Sequence, residues 1–318
     1  MRFINEAAMK RITTHIHSFS LRYHLRYRPA GYDVFAYINE MADAGFDGVN
    51  ISANGPGFRD LCGTSPEHFA RVKEACRRRG LKMELDMSST STADMRPMLA
   101  VAHACGADTL RTYTRYKGEL ADLIAWTKRD LKEVAGDAAA LGITIVLENH
   151  EDFQGAAIAE ILDDVANPFV RALYDYGNSQ MVGEEPFDAL EAMARYIHCV
   201  HIKDHVITIA PDGSQVVQGV PMGEGLLPII EQTDRLYALG LRRFCFENVW
   251  SYVAPVKVPE LPRTPCFALQ PPSRYLKGDL LPPDEAVAQE RAAHVSSLNW
   301  FRHALQEAGY ETRLKPIS

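Results

Sequence analysis

Short apolar or alternating segments take turns with helical segments along almost the whole chain, and this alternation constrains the fold more than any other feature. Hydrophobic residues spaced by two mark strands, and those spaced by three or four mark helices. The pattern predicts strands at about residues 11–18, 46–52, 81–88, 108–113, 143–148, 170–175, 199–203 and 243–247. It predicts helices at about residues 33–44, 65–79, 92–105, 119–141, 156–165, 187–196, 227–239 and 283–309.

Eight strand–helix units predict a parallel sheet covered by helices, and eight units favour closure into a (β/α)₈ barrel. The alternative is an open, doubly wound sheet. The Rossmann form of that sheet requires a glycine-rich turn such as GxGxxG after an early strand, and the sequence has none. We therefore predict an α/β TIM barrel that forms one domain over residues 1–318.

The net charge and the spacing of the cysteines limit the classes of partner that the protein is expected to bind. The 34 Lys and Arg residues against 41 Asp and Glu residues give a net charge of −7, which offers no electrostatic reason for nucleic-acid or membrane binding. No apolar run reaches the roughly 18–20 residues that span a bilayer, and no secretory signal is visible. The six cysteines are scattered without a CxxC pair. We expect a cytoplasmic homo-oligomer, a dimer or tetramer, that acts on a small molecule.

Four consecutive strands end in a carboxylate or an imidazole, on the barrel face where active sites lie. Strand five ends in Glu148, strand six in Asp175 and strand eight in Glu247, while strand seven carries His201. Side chains two positions apart share a face of a strand. The residues two positions before these four are Val146, Leu173, Cys199 and Cys245. Small or apolar side chains below each polar terminus suit a barrel interior with ligands at its mouth.

Each of the four residues alone has an ordinary structural explanation, such as a helix cap for a carboxylate or a hydrogen-bonded core position for His201. Taken together, three carboxylates buried close to one another without a cation would be costly and would become protonated. A divalent ion bound by Glu148, Asp175, His201 and Glu247 removes this problem. Three oxygen ligands and one imidazole suit one Mn²⁺ ion, our first choice, or Mg²⁺, Co²⁺ or Fe²⁺, with Zn²⁺ as a further option.

Four segments resemble those of the sugar-phosphate isomerase/epimerase family, whose barrel is xylose isomerase-like. They are VLENH (146–150), LYDYGN (173–178), CVHIKD (199–204) and FCFEN (244–248). The resemblance implies the same four metal ligands, with Glu148 and Glu247 also acting as the acid/base pair on opposite sides of the substrate. Asn178 departs from the pattern, because many members have histidine three residues after the strand-six aspartate. Repair endonucleases of the same superfamily need more metal ligands and a basic DNA-facing surface, which the net charge argues against.

A metal-dependent isomerase or epimerase of a small sugar or hydroxy-keto compound is the expected activity. Removal of the proton next to a metal-bound carbonyl gives an enediolate, and a carboxylate can return the proton to the same or a neighbouring carbon. Loss of a β-hydroxyl from the same intermediate gives dehydration, so a dehydratase acting on a keto-sugar, keto-inositol or dehydroshikimate-like substrate is the alternative. A sugar-binding barrel without metal is the non-enzymatic alternative.

Further polar or aromatic residues near the strand ends are candidates for substrate binding. They are His150, Lys203, Arg111, Asn178 and Trp250, with His15, His17 and Tyr113 as weaker candidates. The competing explanation is that polar groups at a barrel mouth satisfy one another, and that Trp250 anchors its loop.

Residues 251–282 form a proline-rich stretch between strand eight and the last helix. Proline disfavours helix and central strand alike, and a long loop inside a compact domain is usually functional. We predict that this loop folds over the mouth as a lid or packs against a neighbouring subunit. Its candidate substrate contacts are Lys257, Arg263, Phe267, Arg274, Tyr275 and Lys277.

Overall fold

Eight parallel strands close into a barrel in the computed structural model, which describes residues 9–271 and 278–318. Elements are numbered in chain order, and the barrel order is β11-β2-β3-β4-β5-β6-β7-β8. The barrel strands are β2 (Thr13–His17), β3 (Gly48–Ser52), β4 (Lys82–Asp86), β5 (Thr109–Thr112), β6 (Thr144–Glu148), β7 (Val170–Asp175), β8 (Ile197–Ile202) and β11 (Arg243–Phe246). The predicted TIM barrel is therefore confirmed.

Helices surround the barrel and bury their apolar faces against it. They are α1 (Arg22–Tyr27), α2 (Val34–Asp43), α3 (Pro66–Arg79), α4 (Thr92–Cys105), α5 (Leu120–Leu141), α6 (Gly155–Val165), α7 (Pro186–Met193), α8 (Ile229–Ala238) and α9 (Pro283–Glu307). Capping fixes several boundaries: the Asp33 side chain accepts hydrogen bonds from the first turn of α2, and Ser65 caps α3. Gly80, at a φ of 68°, ends α3 in the left-handed conformation.

The predicted and observed elements differ mainly at the ends of the later units. The seventh helix ends at Met193 rather than at residue 196, because residues Ala194–Tyr196 tighten into a 3-10 turn. The next strand begins at Ile197, two residues earlier than predicted. Strand β11 ends at Phe246, whose pairing with Ile202 is the last of the β8–β11 ladder. Lys203 and Glu247 therefore lie just past the strand ends.

Additional strands were not anticipated from the sequence. Strands β9 (His205–Ile209), β10 (Gln215–Gly219) and β12 (Val253–Pro255) form an antiparallel sheet with β10 in its centre. A short parallel pair, β1 (Lys10–Arg11) with β13 (Tyr310–Glu311), joins the two ends of the described chain. Strands β9 and β10 lie between β8 and α8, where the period-two pattern was too short to separate from a loop, and β12 follows β11.

The described part of the proline-rich stretch packs against the loops that follow β6 and β7, at the carboxyl end of the barrel. Lys257 Nζ lies 2.8 Å from Asp152 Oδ1, and Gln180 Nε2 donates a hydrogen bond to the Cys266 carbonyl. Phe267 is buried, whereas Arg263 is exposed. The candidate contacts Arg274, Tyr275 and Lys277 lie outside the described residues.

A small second core holds this stretch in place. It contains Met181, Ile207, Val217, Ala254 and Phe267, and it is separate from the large core between the barrel and the helices. Over the described ranges, no helix combines the length and apolarity needed to cross a bilayer.

Replacing Phe267 by alanine should open the proline-rich stretch without unfolding the barrel. Truncating a buried Phe costs about 3–5 kcal/mol, and here the loss falls on a separate core that can open locally. We expect trypsin to cut after Arg263 at least about tenfold faster in Phe267→Ala, with the thermal midpoint nearly unchanged.

Leu269→Ala is the matched control, because Leu269 lies in the same stretch but is 51% exposed. Equal cleavage rates in the two variants, or a large fall in the thermal midpoint of Phe267→Ala, would show that the stretch is not held by a separate core.

Candidate active site

A cavity of about 250 Å³ lies at the carboxyl ends of the barrel strands. Its wall contains side chains from the ends of most strands and from the loops beyond them. The charged and imidazole side chains in this wall include His17, Asp86, Arg111, His150, Lys203 and Glu247. The cavity is thus lined mainly by groups that can carry charge, rather than by the apolar side chains that dominate many ligand pockets.

Glu148, Asp175 and His201 converge beneath the floor of this cavity. Each offers one ligand atom, and the three atoms all lie within 4.8 Å of one another. All three residues are fully buried. They are adjacent because β6, β7 and β8 are neighbours and Asp175 pairs directly with His201 in the ladder.

The residues one layer deeper explain why these side chains point inward. Val146, Leu173 and Cys199 form a small apolar cluster of their own inside the barrel. Each lies two positions before one of the three polar residues, so the strand alternation aims both layers at the barrel axis. The predicted interior face of these strands is therefore correct.

One buried polar atom in each of the three residues lacks a hydrogen-bond partner among the described residues: Glu148 Oε1, Asp175 Oδ2 and His201 Nδ1. Glu148 Oε1 lies 3.3 Å from His201 Nδ1, and Asp175 Oδ2 lies 2.9 Å from Lys203 Nζ, but neither contact has hydrogen-bond geometry. Buried polar atoms are normally satisfied. Two carboxylate oxygens and an imidazole nitrogen left in this state are a donor set that fits a divalent cation.

Two cations already balance part of the negative charge. Arg111 contacts both Asp86 and Glu148. Burial alone would raise the pKa of Glu148, but the Arg111 guanidinium and the His201 ring hold it below its usual range. Lys203 pairs with Asp175 and donates to Asn178 Oδ1 at 2.7 Å.

Asp175 is the least stabilised of the carboxylates. Burial raises its pKa to about 6, and the nearby charges of Glu148 and Glu247 add to the effect, whereas the Lys203 ammonium opposes it. Desolvation and like charges both disfavour ionisation. A divalent ion beside Asp175 would remove this penalty.

Glu247, the fourth predicted ligand, lies in the cavity wall but outside the group of three. Its Oε1 is 3.1 Å from His17 Nδ1, and its Oε2 is 4.0 Å from Lys203 Nζ. Burial lowers the pKa of His17, but hydrogen bonds to Asp86 and Glu247 outweigh it and raise the pKa to about 10. A protonated His17 therefore holds Glu247 as a carboxylate against one wall.

A second polar layer supports His201 from below. Asn50 Nδ2 lies 3.3 Å from His201 Nε2 and donates to Glu84 Oε2 at the same distance. Glu84 is in turn paired with His15 and Arg243. Since Nε2 is engaged by Asn50, Nδ1 is the ring nitrogen that faces Glu148. For Nδ1 to ligate an ion, the ring hydrogen must lie on Nε2, and Asn50 Oδ1, which has no hydrogen-bond partner among the described residues, accepts it once the Asn50 amide is turned by 180°.

An aromatic wall lies beside the carboxylates. The His150 ring stacks on Tyr113 with centroids 3.8 Å apart and planes 7° from parallel. Burial lowers the pKa of His150 to about 3, so the ring is neutral at physiological pH. Arg111 lies against the same Tyr113 ring, 4.4 Å from its centroid. Both faces of Tyr113 are thus covered, and His150 offers a neutral hydrogen-bonding edge to a bound molecule.

The remaining sequence candidates are not part of the cavity wall. Asn178 is buried and accepts a hydrogen bond from Lys203 Nζ. Trp250 packs against Tyr23, Ala286 and Ala293 instead of lining the cavity, so the loop-anchor explanation describes its placement. His15 lies in the deeper layer with Glu84.

Sequence reasoning missed several cavity residues, including Asp86, Arg59 and Tyr252. Asp86 carried a usable signal, because β4 reads MELD, with Glu84 and Asp86 on one face like the later strands. Arg59 and Tyr252 lie in loops, where no periodicity indicates direction.

Comparison with known proteins gives a consistent fold. A family model described as a xylose isomerase-like TIM barrel matches residues 38–262. The uncharacterized protein YihM of Escherichia coli strain K12 is 26% identical over 248 residues, 75% of this chain and 74% of that protein.

Solved structures give the same result. D-psicose 3-epimerase from Clostridium cellulolyticum H10, solved with D-tagatose, superposes with a TM-score of 0.64 at 14% identity, covering 92% of this chain and 99% of its own. D-allulose 3-epimerase from Methylomonas sp. has a TM-score of 0.63 at 18% identity, with 93% and 99% coverage. An L-ribulose 3-epimerase has a TM-score of 0.64 at 16% identity, with 93% and 95% coverage. At such identities the likeness shows a shared fold.

Asp175→Asn should weaken binding of Mn²⁺ at least about tenfold, because it removes the charge of one ligand from a site built on deprotonated groups. In titration calorimetry, the parent protein should bind about one Mn²⁺ per chain. Asp188→Asn, on the exposed face of α7, is the matched control and should bind like the parent. Equal affinity in both variants would remove Asp175 from the site.

Affinity for Mn²⁺ should fall as the pH is lowered from 7 to 5. A carboxyl whose pKa is raised to about 6 is mostly ionised at pH 7 and mostly protonated at pH 5, and a protonated Asp175 cannot ligate. We expect the dissociation constant to rise about tenfold or more over this interval. Circular dichroism at each pH checks that the barrel stays folded; constant affinity would contradict the pKa of Asp175.

Proposed function

The chain belongs to the xylose isomerase-like TIM barrel family, and on that premise we propose that it is a divalent-metal-dependent epimerase or isomerase of a small ketose-like sugar. One observation carries the proposal: Glu148, Asp175 and His201 bring one ligand atom each to within 4.8 Å of one another, and each has a buried atom without a hydrogen-bond partner among the described residues. This combination favours an ion-binding enzyme over an inert barrel.

We propose that Glu148, Asp175 and His201 hold the ion, Mn²⁺ by first preference, and that Glu247 is the fourth ligand. A bound divalent ion polarises the substrate carbonyl and stabilises the negative charge that develops next to it. Asn50 keeps the His201 ring in its orientation. Lys203 and Arg111 neutralise the remaining carboxylate charge, so that the acidic groups stay ionised in a buried site.

Glu148 and Glu247 are the proposed proton carriers. The pKa of each is held below its usual range despite burial, Glu148 chiefly by Arg111 and Glu247 chiefly by His17. In the free protein each is therefore a carboxylate that can accept a proton at neutral pH. In the proposed reaction one carboxylate takes the α-proton from one face of the substrate, and the other, which has first taken up a proton from water, donates that proton to the opposite face, which inverts the carbon. The first carboxylate then releases its proton to water.

Epimerisation is the preferred outcome within this chemistry. The solved structures with similar folds include 3-epimerases of D-psicose, D-allulose and L-ribulose. His150 lines the cavity with a neutral ring that stacking on Tyr113 holds in place, and its ring nitrogens can hydrogen-bond to a sugar hydroxyl.

We further propose that the described part of residues 251–282 covers the mouth as a lid on a barrel that is one domain. Tyr252 supports this, because it lines the cavity and its hydroxyl donates to Glu151 Oε1 at 3.1 Å. The ion pair of Lys257 with Asp152 ties the same stretch to the loop after β6. Together these contacts narrow the access of water to the carboxylates.

Exchange of substrate hydrogen tests the function directly. We expect the Mn²⁺-loaded protein in D₂O to introduce deuterium at the carbon next to the carbonyl of at least one sugar in a panel of D-tagatose, D-psicose and L-ribulose, read by NMR. Glu247→Gln should lower the exchange rate about a hundredfold or more, because the proton carrier is lost while the shape is kept.

Glu231→Gln, on the exposed side of α8, is the matched control and should exchange like the parent. Inversion at the labelled carbon identifies an epimerase, and movement of the carbonyl identifies an isomerase. Loss of water from the sugar would identify a dehydratase and contradict the proposal. Full exchange in Glu247→Gln would remove Glu247 from the proton transfer.

A further inference from the structure

A second cavity of about 360 Å³ adjoins the one just described. The two share Phe19, Arg59 and Tyr252 in their walls, so these side chains lie at the border between the inner and the outer cavity. The outer cavity lies on the side of the mouth formed by α1 and the loop after β3. A substrate long enough to pass these three side chains would reach both cavities.

Positive charge dominates the outer cavity. Its described wall includes Arg22, Arg26 and Arg59, with Asp279 as the acidic member. Asp279 pairs with Arg26 at 2.7 Å. Arg59 uses Nε to contact Asp60 Oδ1 at 3.0 Å, which leaves its two terminal nitrogens for another partner. After these pairs are counted, Arg22 is the one arginine of the described wall that has no acidic partner.

Arg22 is held in place without a carboxylate. Its guanidinium carbon lies 4.1 Å from the centroid of the Phe19 ring and 4.7 Å from that of Tyr23. One terminal nitrogen donates to Ser251 Oγ at 2.8 Å and to the Tyr23 hydroxyl at 3.2 Å. No acidic side chain within residues 9–271 and 278–318 forms an ion pair with it, so Nε and the other terminal nitrogen keep donors for a ligand.

The fixed geometry of Arg22 distinguishes it from a solvated surface arginine. Stacking on aromatic rings and neutral hydrogen bonds orient the guanidinium fork but leave its charge uncompensated. Ser251 holds its hydroxyl there from a left-handed backbone conformation with a φ of 63°, an unusual position for serine. A preorganised, uncompensated guanidinium is well suited to bidentate contact with an oxyanion.

We propose that the outer cavity binds an anionic group at the far end of the substrate, a phosphate, sulfonate or carboxylate, through Arg22 and Arg59. The proposal rests on the proposed function for the sugar end of the molecule. Barrels commonly bind phosphate after strands seven and eight; here the anion site is built from residues that follow the first two barrel strands, β2 and β3. The acidic inner cavity and the basic outer cavity then bind opposite ends of one polar substrate.

Binding of inorganic phosphate to the metal-loaded protein, measured by calorimetry, tests the site without any turnover. We expect phosphate to bind the parent and to bind Arg22→Gln and Arg59→Gln about tenfold or more weakly, since each loses charge-assisted hydrogen bonds. Arg71→Gln is the matched control, because Arg71 also lies over an aromatic ring, Phe35 at 4.7 Å, but on α3. No binding to the parent, or equal binding to all four proteins, would overturn the proposal.

Sugar pairs then identify the anion. Hydrogen exchange is compared for a ketose and for the same ketose carrying a terminal phosphate, sulfonate or carboxylate. Preference for one anionic form by about tenfold or more in kcat/KM, lost in Arg22→Gln, supports the site and names the group. A neutral ketose processed as well as every anionic form would contradict it.

The two proposals fail in different ways. Phosphate binding that depends on Arg22, with no exchange for any sugar, would leave the anion site and remove the epimerase. Exchange with neutral ketoses, without phosphate binding that depends on Arg22, would support the epimerase and remove the anion site.

Discussion

The repulsion among buried carboxylates at the carboxyl end of the barrel is the constraint on which the rest of the site depends. Asp86, Glu148, Asp175 and Glu247 are all buried there, and burial disfavours the charged form of each. The chain answers with Arg111 against Asp86 and Glu148, Lys203 against Asp175, and a protonated His17 between Asp86 and Glu247. Arg111 and His17 each contact two acidic groups, and Lys203 contacts Asp175 and lies near Glu247. Removing any one of these cations would therefore leave two carboxylates without part of their compensating charge.

Asp175 is where this compensation is incomplete. Its raised pKa and the unpartnered atoms around it mean that the protein's own cations do not fully satisfy the donor set. A divalent ion between Glu148, Asp175 and His201 would supply the missing positive charge. The same electrostatic need therefore accounts for the packing of the mouth and for its proposed chemistry.

The barrel and the layer of ligand candidates could be predicted from the sequence because both follow from local periodicity. Alternation placed Val146 and Glu148 on one face of β6, and the structure confirms the fold and the direction of that face. Glu247 could be located at the end of its strand, but its pairing with His17 could not, since the two residues are 230 positions apart and meet only through barrel closure. The oligomeric state stays a prediction.

The positions of the loop residues could not be predicted from the sequence for a related reason. Nothing in the spacing of Arg22, Arg59 and Tyr252 indicates that they meet, because loop direction is set by tertiary contacts rather than by a repeating pattern. The β9–β10–β12 sheet was missed for two reasons. β9 and β10 are too short for their alternation to be told from a loop. β12 begins 34 positions after β10 ends, inside a proline-rich stretch that disfavours strands.

The separation of the small core around Phe267 from the barrel core has an evolutionary consequence. Substitutions that reshape the proline-rich stretch change the stability of this small core rather than that of the barrel. Descendants of this chain can therefore vary that stretch while the barrel and the side chains at its carboxyl end stay folded. A duplicated gene could acquire a new preference by drift in one small patch, without first passing through an unstable barrel.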